Sequence, residues 1–192
     1  MQNQVDDYIM IQNLIPAQLC RSLIRESSLP DKKWSKHSWY SYGKEVPQAS
    51  IAEKELDIIP STDDQFKLLL KYLGRAVQNY QQKYSTVGER VGVHWINHIT
   101  RVRFNRYKVG TKMQIHYDHI QSLFDGQRKG VPILSFVGLL NDNYKGGEFI
   151  CRKKEIKLKR GDILLFPSNF MFPHGVKKVT KGIRYSFVSW AF

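Results

Sequence analysis

The sequence has little of what would mark a secreted or membrane-spanning chain. Its 192 residues hold only two cysteines, Cys20 and Cys151. Both stand beside apolar residues, so free buried thiols are expected rather than a disulfide framework. No apolar run approaches the ~20 residues that cross a bilayer, so no membrane partner is expected. The N-terminal stretch is acidic around Asp6 and Asp7 and lacks a basic segment followed by an apolar one. No signal peptide is expected, and a reducing cytoplasm is the expected setting. There is no internal repeat and no low-complexity tract. Acidic residues are scarce too: 17 Asp and Glu stand against 30 Lys and Arg, a formal net charge of +13. Such an excess attracts polyanions or acidic partners, so a nucleic acid is a candidate partner on charge alone.

What is present suits one domain over residues 1–192, with a helical support region over 1–90 and a β-rich core over 91–192. Tyr8–Ile11 is apolar and reads as a strand. Pro16 opens a helix whose stripe is Leu19, Cys20, Leu23 and Ile24. Thr62 and Gln65 have the spacing of a capping box, and Phe66, Leu69, Leu70, Leu73, Val77 and Tyr80 follow at helical steps. Between these helices, Lys32, Lys33, Trp34, Lys36, His37, Trp39, Tyr40 and Tyr42 interleave bases with aromatics. They form either a platform for a charged substrate or, the favoured reading, aromatics packed on the first helix. From residue 91 the signal changes to short strands broken by Gly, Asp and Asn. The fold class is therefore mostly β with flanking helices: a double-stranded β-helix, or cupin-like jelly roll, with the N-terminal helices on one sheet.

The chemistry-bearing stretch is Gln114-Ile115-His116-Tyr117-Asp118. On a strand, His116 and Asp118 point to one side. A His-x-Asp pair alone is weak evidence, and either residue by itself is more simply a packed histidine or a turn-capping carboxylate. The distant His174 and Arg184 change the balance. Two histidines and one carboxylate on one face of a metal leave the opposite positions open, the facial arrangement of non-haem Fe(II) oxygenases. An arginine in an otherwise apolar last strand calls for an anionic partner, because an unpaired buried charge is costly. His94, His98 and His119 lack an ordered partner set and are assigned to packing or surface.

These residues resemble the prolyl 4-hydroxylase-like group of 2-oxoglutarate- and Fe(II)-dependent oxygenases. The resemblance covers roughly residues 100–192. It rests on Arg106-Tyr107-Lys108-Val109-Gly110, His116-Tyr117-Asp118, Gly146-Gly147-Glu148-Phe149, the Lys159–Phe166 hairpin, His174-Gly175-Val176 and Gly182-Ile183-Arg184-Tyr185-Ser186, in that order. It implies Fe(II) held by His116, Asp118 and His174, and 2-oxoglutarate held through Arg184 with Ser186 and Tyr107. O2 is the oxidant and ascorbate a candidate reductant. The implied reaction hydroxylates an unactivated C–H bond of a prolyl residue in a peptide or protein and releases succinate and CO2. Met113 and Leu139 depart from the family, which often has tyrosines there, so the cosubstrate pocket is expected to be less polar. Trp190 is expected on the substrate side. Arg101, Arg103, Asn105 and Tyr107 alternate onto one strand face, so Arg103 either recognises an acidic group on the substrate or pairs with a nearby acid. The alternatives are an oxygenase of nucleic acid or of a free amino acid, and a non-catalytic binding module.

Overall fold

The computed structural model describes residues 4–37, 39–41, 44–46, 55–84, 96, 98–118 and 132–192. A 3-10 helix (Gln4–Tyr8) leads into β1 (Met10–Asn13) and α1 (Ala17–Ser27). The short strands β2 (Ser35–Lys36), β3 (Trp39–Ser41), β4 (Lys44–Val46) and β5 (Asp57–Pro60) come next, then α2 (Asp63–Tyr84). Ten strands follow: β6 (Arg103–Tyr107), β7 (Met113–His116), β8 (Leu134–Leu139), β9 (Lys145–Gly146) and β10 (Phe149–Cys151), then β11 (Lys154–Ile156), β12 (Asp162–Pro167), β13 (His174–Val176), β14 (Val179–Lys181) and β15 (Arg184–Ala191). A seven-stranded antiparallel sheet in the order β1-β12-β8-β15-β6-β5-β2 and a four-stranded one, β11-β10-β13-β7, make the frame. This is the mostly-β jelly roll expected from the sequence.

The large sheet is covered on both faces, and strand alternation decides which residue goes where. From β8, Leu134 and Phe136 join Leu23, Leu69, Leu73 and Val77 of the helices in one core. Val137, next after Phe136, turns into a second core with Tyr107, Phe149, Phe166 and Val176. β12 divides the same way, with Ile163 and Leu165 toward the helices and Leu164 and Phe166 toward the small sheet. Double burial is why residues 133–140 read as a continuous apolar run instead of an alternating one.

The helices obey their sequence signals, with one exception. The Thr62 backbone N–H donates to Gln65 Oε1 at 3.0 Å, and the Gln65 N–H donates to Thr62 Oγ1 at 3.3 Å. Two otherwise orphaned donors are thus satisfied reciprocally, and Asp63 and Asp64 suit the positive end of the helix. The buried stripe runs through Leu69, Leu73, Ala76, Val77 and Tyr80, while Leu70 lies off it and is exposed. A second difference is at the N-terminus, where the strand begins only at Met10. The Tyr8 carbonyl accepts the Tyr80 hydroxyl at 2.9 Å and the Asp7 carbonyl accepts that of Tyr84. Carbonyls engaged by α2 in this way are not available to a sheet ladder. The first ninety residues also do more than support: β1, β5 and β2 extend the large sheet at its two edges.

Trp34 packs on the first helix, as favoured above. Its indole N–H donates to the Ser27 carbonyl at 2.8 Å, and the Arg106 guanidinium lies 4.3 Å from its ring. Tyr42 and the side chains of Trp39 and Tyr40 lie outside the described residues, as do His94 and His119. His98 is exposed and pairs its backbone with Phe192.

Asp57 locks three strands together. Its Oδ2 accepts from Arg106 Nε at 3.1 Å and Nη2 at 2.9 Å, and Lys36 and Lys108 each approach within 3.1 Å. Burial opposes its charge, but the three cations prevail and hold the carboxyl below its ordinary pKa. A carboxylate with a depressed folded pKa stabilises fully above its unfolded value, about pH 4, and loses that contribution as pH falls through the folded value. Asp57→Asn should lower unfolding free energy by about 1–3 kcal/mol at pH 7 and flatten the acid limb of stability. Urea unfolding of both proteins from pH 7 to pH 3 checks this; an equal acid limb in both would contradict it.

Candidate functional site

Two local hydrogen bonds aim the histidines. His116 closes β7, and its Nδ1 lies 2.8 Å from the Gln114 carbonyl; His174 opens β13, and its Nδ1 lies 3.0 Å from the Phe172 carbonyl. A carbonyl can only accept, so Nδ1 carries the proton in both rings and the Nε2 lone pair is turned toward Asp118. His116 Nε2 is 3.4 Å from Asp118 Oδ1, and His174 Nε2 is 3.6 Å from Oδ2. Candidate ligand atoms from all three side chains lie within 4.8 Å of one another, a spacing that could hold one metal ion. β7 and β13 are paired with His174 opposite His116, so the two rings come from adjacent strands. Gly175 permits this approach, because a Cβ there would lie 2.8 Å from the Met113 carbonyl oxygen.

The surroundings favour a neutral His174 and an ionised Asp118. Burial pulls the His174 pKa down to about 4 against the attraction of Asp118. Phe149 stacks on its ring and Phe166 meets it edge-on. At Asp118 burial acts the other way, but the neighbouring His174 and His116 and the Ser135 hydroxyl hold the carboxyl well below its usual range. Ser135 Oγ donates to Asp118 Oδ2 at 2.6 Å and lies 2.6 Å from Ser168 Oγ. Sequence reasoning missed this hydroxyl pair. Its one signal was Ser135, the only hydroxyl in the apolar run 133–140.

Behind the three candidate ligands lies Arg184, 1% exposed. Its Nη1 donates to Ser186 Oγ at 2.7 Å and its guanidinium lies 5.0 Å from the Tyr107 ring. Its Nε has no hydrogen-bond partner, and no carboxylate among the described residues reaches its guanidinium. Gly147, at φ +66°, makes room for it: a Cβ there would stand 3.1 Å from Arg184 Cδ. The Gly146-Gly147 turn thus serves the site as well as the chain reversal.

All eight candidate residues line one pocket: His116, Asp118, His174, Arg184, Ser186, Tyr107, Arg103 and Trp190. Arg184, Ser186 and Tyr107 are buried, whereas Arg103 and Trp190 are half-buried and mark the shallower end. Met113 also lines it, so an apolar side chain stands where relatives often have a tyrosine; Leu139 is buried. Arg101 is a correction. It precedes β6, is exposed, and pairs with Asp63 at the start of α2 instead of joining the pocket face. His37 enters from the N-terminal region, 4.0 Å from buried Glu55. Burial lowers its pKa to about 3, and Arg103 and His116 add to the shift.

A sequence profile described as the 2OG-Fe(II) oxygenase superfamily matches residues 102–192. Just under half of the chain, its β-rich part, is thus similar to this superfamily. A PKHD-type hydroxylase of Prochlorococcus marinus (strain MIT 9211) is 33% identical over 91 residues, 45% of this chain and 39% of that protein. A PKHD-type hydroxylase of Aliarcobacter butzleri is 34% identical over 101 residues, 48% and 43% of the two chains. The matched stretch thus spans less than half the length of these curated relatives. Among solved structures, a Pseudomonas putida prolyl-4-hydroxylase superposes with a TM-score of 0.67 at 18% identity, over 97% of this chain and 96% of that one. The viral collagen prolyl hydroxylase of Paramecium Bursaria Chlorella virus-1, solved with 2OG, gives 0.65 at 15%, over 96% and 94%. A Trichoplax adhaerens prolyl hydroxylase in complex with a hypoxia inducible factor peptide fragment gives 0.62 at 19%, over 99% and 86%. At such identities these structures share the fold.

Removing an outer hydrogen bond from a metal ligand commonly weakens metal affinity ten- to a hundredfold. Ser135→Ala should do so here for Mn(II), followed by calorimetry, without altering the thermal midpoint of the metal-free protein by more than a few degrees. Unchanged affinity would show that Ser135 does not hold Asp118 in place.

Proposed function

We propose that the protein is an Fe(II)- and 2-oxoglutarate-dependent hydroxylase acting on a prolyl residue of a peptide or protein. The observation that carries the chemistry is the pairing of the His116–Asp118–His174 cluster with an arginine buried behind it that has no counter-ion among the described residues. One nitrogen–nitrogen–oxygen donor set on one side of a cation suits Fe(II) and leaves positions for cosubstrate and oxygen. A buried guanidinium without a carboxylate is costly unless an anion arrives, and its planar fork matches the distal carboxylate of 2-oxoglutarate. Bound together, iron, 2-oxoglutarate and O2 supply an oxidation that places one oxygen atom in a C–H bond and releases succinate and CO2.

The chain's own residues position and protect. His116 and His174 present Nε2 because their Nδ1 protons are held by backbone carbonyls. Ser135 fixes one oxygen of Asp118. Ser186 keeps Arg184 in place, and Tyr107 supports its face. Met113, Val137, Phe149 and Val176 make the walls apolar, which excludes water and strengthens the electrostatics inside. The prolyl substrate is supported by the prolyl hydroxylase fold neighbours, one of which was solved with a peptide.

The test is incubation with Fe(II), 2-oxoglutarate and ascorbate as reductant, with proline-containing peptide pools. Mass spectrometry should find a gain of one oxygen on proline, matched by succinate. Asp118→Ala should abolish both. Arg184→Gln should raise the KM for 2-oxoglutarate by about tenfold or more, the loss of a charge-assisted bidentate contact. Iron-dependent succinate release that survives Asp118→Ala would overturn the assignment.

A further inference from the structure

The pocket holds a second arginine, and its neighbours on the same strand show what it lacks. Arg106 pairs with Asp57, and Arg101, just before β6, pairs with Asp63. Arg103 lies between them in sequence but faces inward, lining the same pocket as the metal cluster. Its Nε donates to Asn105 Oδ1 at 3.3 Å, and its guanidinium lies 5.6 Å from the Trp190 ring. No carboxylate among the described residues forms an ion pair with it. Burial disfavours its charge, and Tyr107 and Asp118 favour it only through space.

The register separates this arginine from Arg184. Arg184 is opposite Tyr107 and Val188 is opposite Arg103, four residues apart. That is about 13 Å of strand. The two guanidiniums are therefore rooted at different positions along the pocket. Beyond Trp190, an apolar hollow is lined by Pro132, Trp190 and Phe192 and bordered by Asp118. An apolar ring and an anion site are therefore neighbours at the half-buried end of the pocket.

We infer that Arg103, anchored by Asn105 and laid over Trp190, is a carboxylate-binding residue for the substrate. The substrate class is then an apolar ring or side chain bearing a carboxylate a few bonds from the hydroxylated carbon. The inference takes the hydroxylase proposal as its starting point. The carboxylate has two sources, an acidic residue beside the target in a peptide or the α-carboxylate of a free amino acid.

The experiment uses protein loaded with Mn(II) and 2-oxoglutarate, which binds without turnover, and calorimetric titration with matched probes. One pair is two pools of proline-centred pentapeptides that differ only in glutamate or glutamine at the flanking positions. The other is L-proline against L-prolinamide. The acid member of at least one pair should bind about tenfold tighter or more. Arg103→Gln should erase the difference, and Arg103→Lys should keep part of it. The pair that discriminates identifies the source. Equal binding of both members in both pairs, or a preference that Arg103→Gln retains, overturns the inference. A role confined to packing on Trp190 would not produce charge discrimination. Succinate release with Fe(II), measured in parallel, separates the two proposals. Discrimination without succinate from any probe leaves the anion site and sinks the hydroxylase; succinate without discrimination does the reverse.

Discussion

The site depends on one constraint: each imidazole gives its Nδ1 proton to a carbonyl two residues earlier in its own chain. With both rings set this way, Nε2 of His116 and Nε2 of His174 converge on the two oxygens of Asp118. The bonds are local, but their convergence is not. It requires β7 and β13 to lie side by side, and that follows from the order of the small sheet.

The pocket is an electrostatic arrangement that is incomplete by itself. An ionised carboxylate and two imidazoles face each other at the candidate metal cluster, and two arginines enter from the opposing sheet with no carboxylate partner among the described residues. The rest of the protein handles charge differently: Asp57 gathers three cations, and Asp6 takes Arg152 and Lys154. A concavity that holds two guanidiniums, neither paired with a carboxylate among the described residues, suits charged ligands. The net charge of +13 is thus of less use for identifying a partner than the position of two particular guanidiniums.

Much of this was legible in the sequence because the two candidate histidines lie at strand ends and Asp118 follows β7 by only two residues. His116 and Asp118 share a side by spacing, and Arg184, Ser186 and Trp190 follow the same period along β15. The capping box of α2 and the apolar run of β8 were equally plain. What escaped were features made by tertiary contact. Ser135 and Ser168 come within hydrogen-bond distance only because β8 and β12 are neighbours. Arg101 obeyed the alternation on paper, but it lies before the strand begins, and Asp63 draws it to the surface. Leu70 fitted the helical stripe by step size but lies beyond the edge of the face that the sheet covers. At Tyr8, the first residue of the expected strand, Tyr80 of α2 took the carbonyl that a sheet ladder would have used.

The central claim is that His116, Asp118, His174 and Arg184 together form one site for a divalent cation and a diacid. A crystal structure of the protein with Mn(II) and 2-oxoglutarate tests it most directly, with the metal located by anomalous scattering. The account predicts a single strong anomalous peak bonded to both Nε2 atoms and one Asp118 oxygen, with the distal carboxylate of the diacid on Arg184. A metal bound elsewhere, or a diacid that leaves Arg184 without an anion, would contradict it.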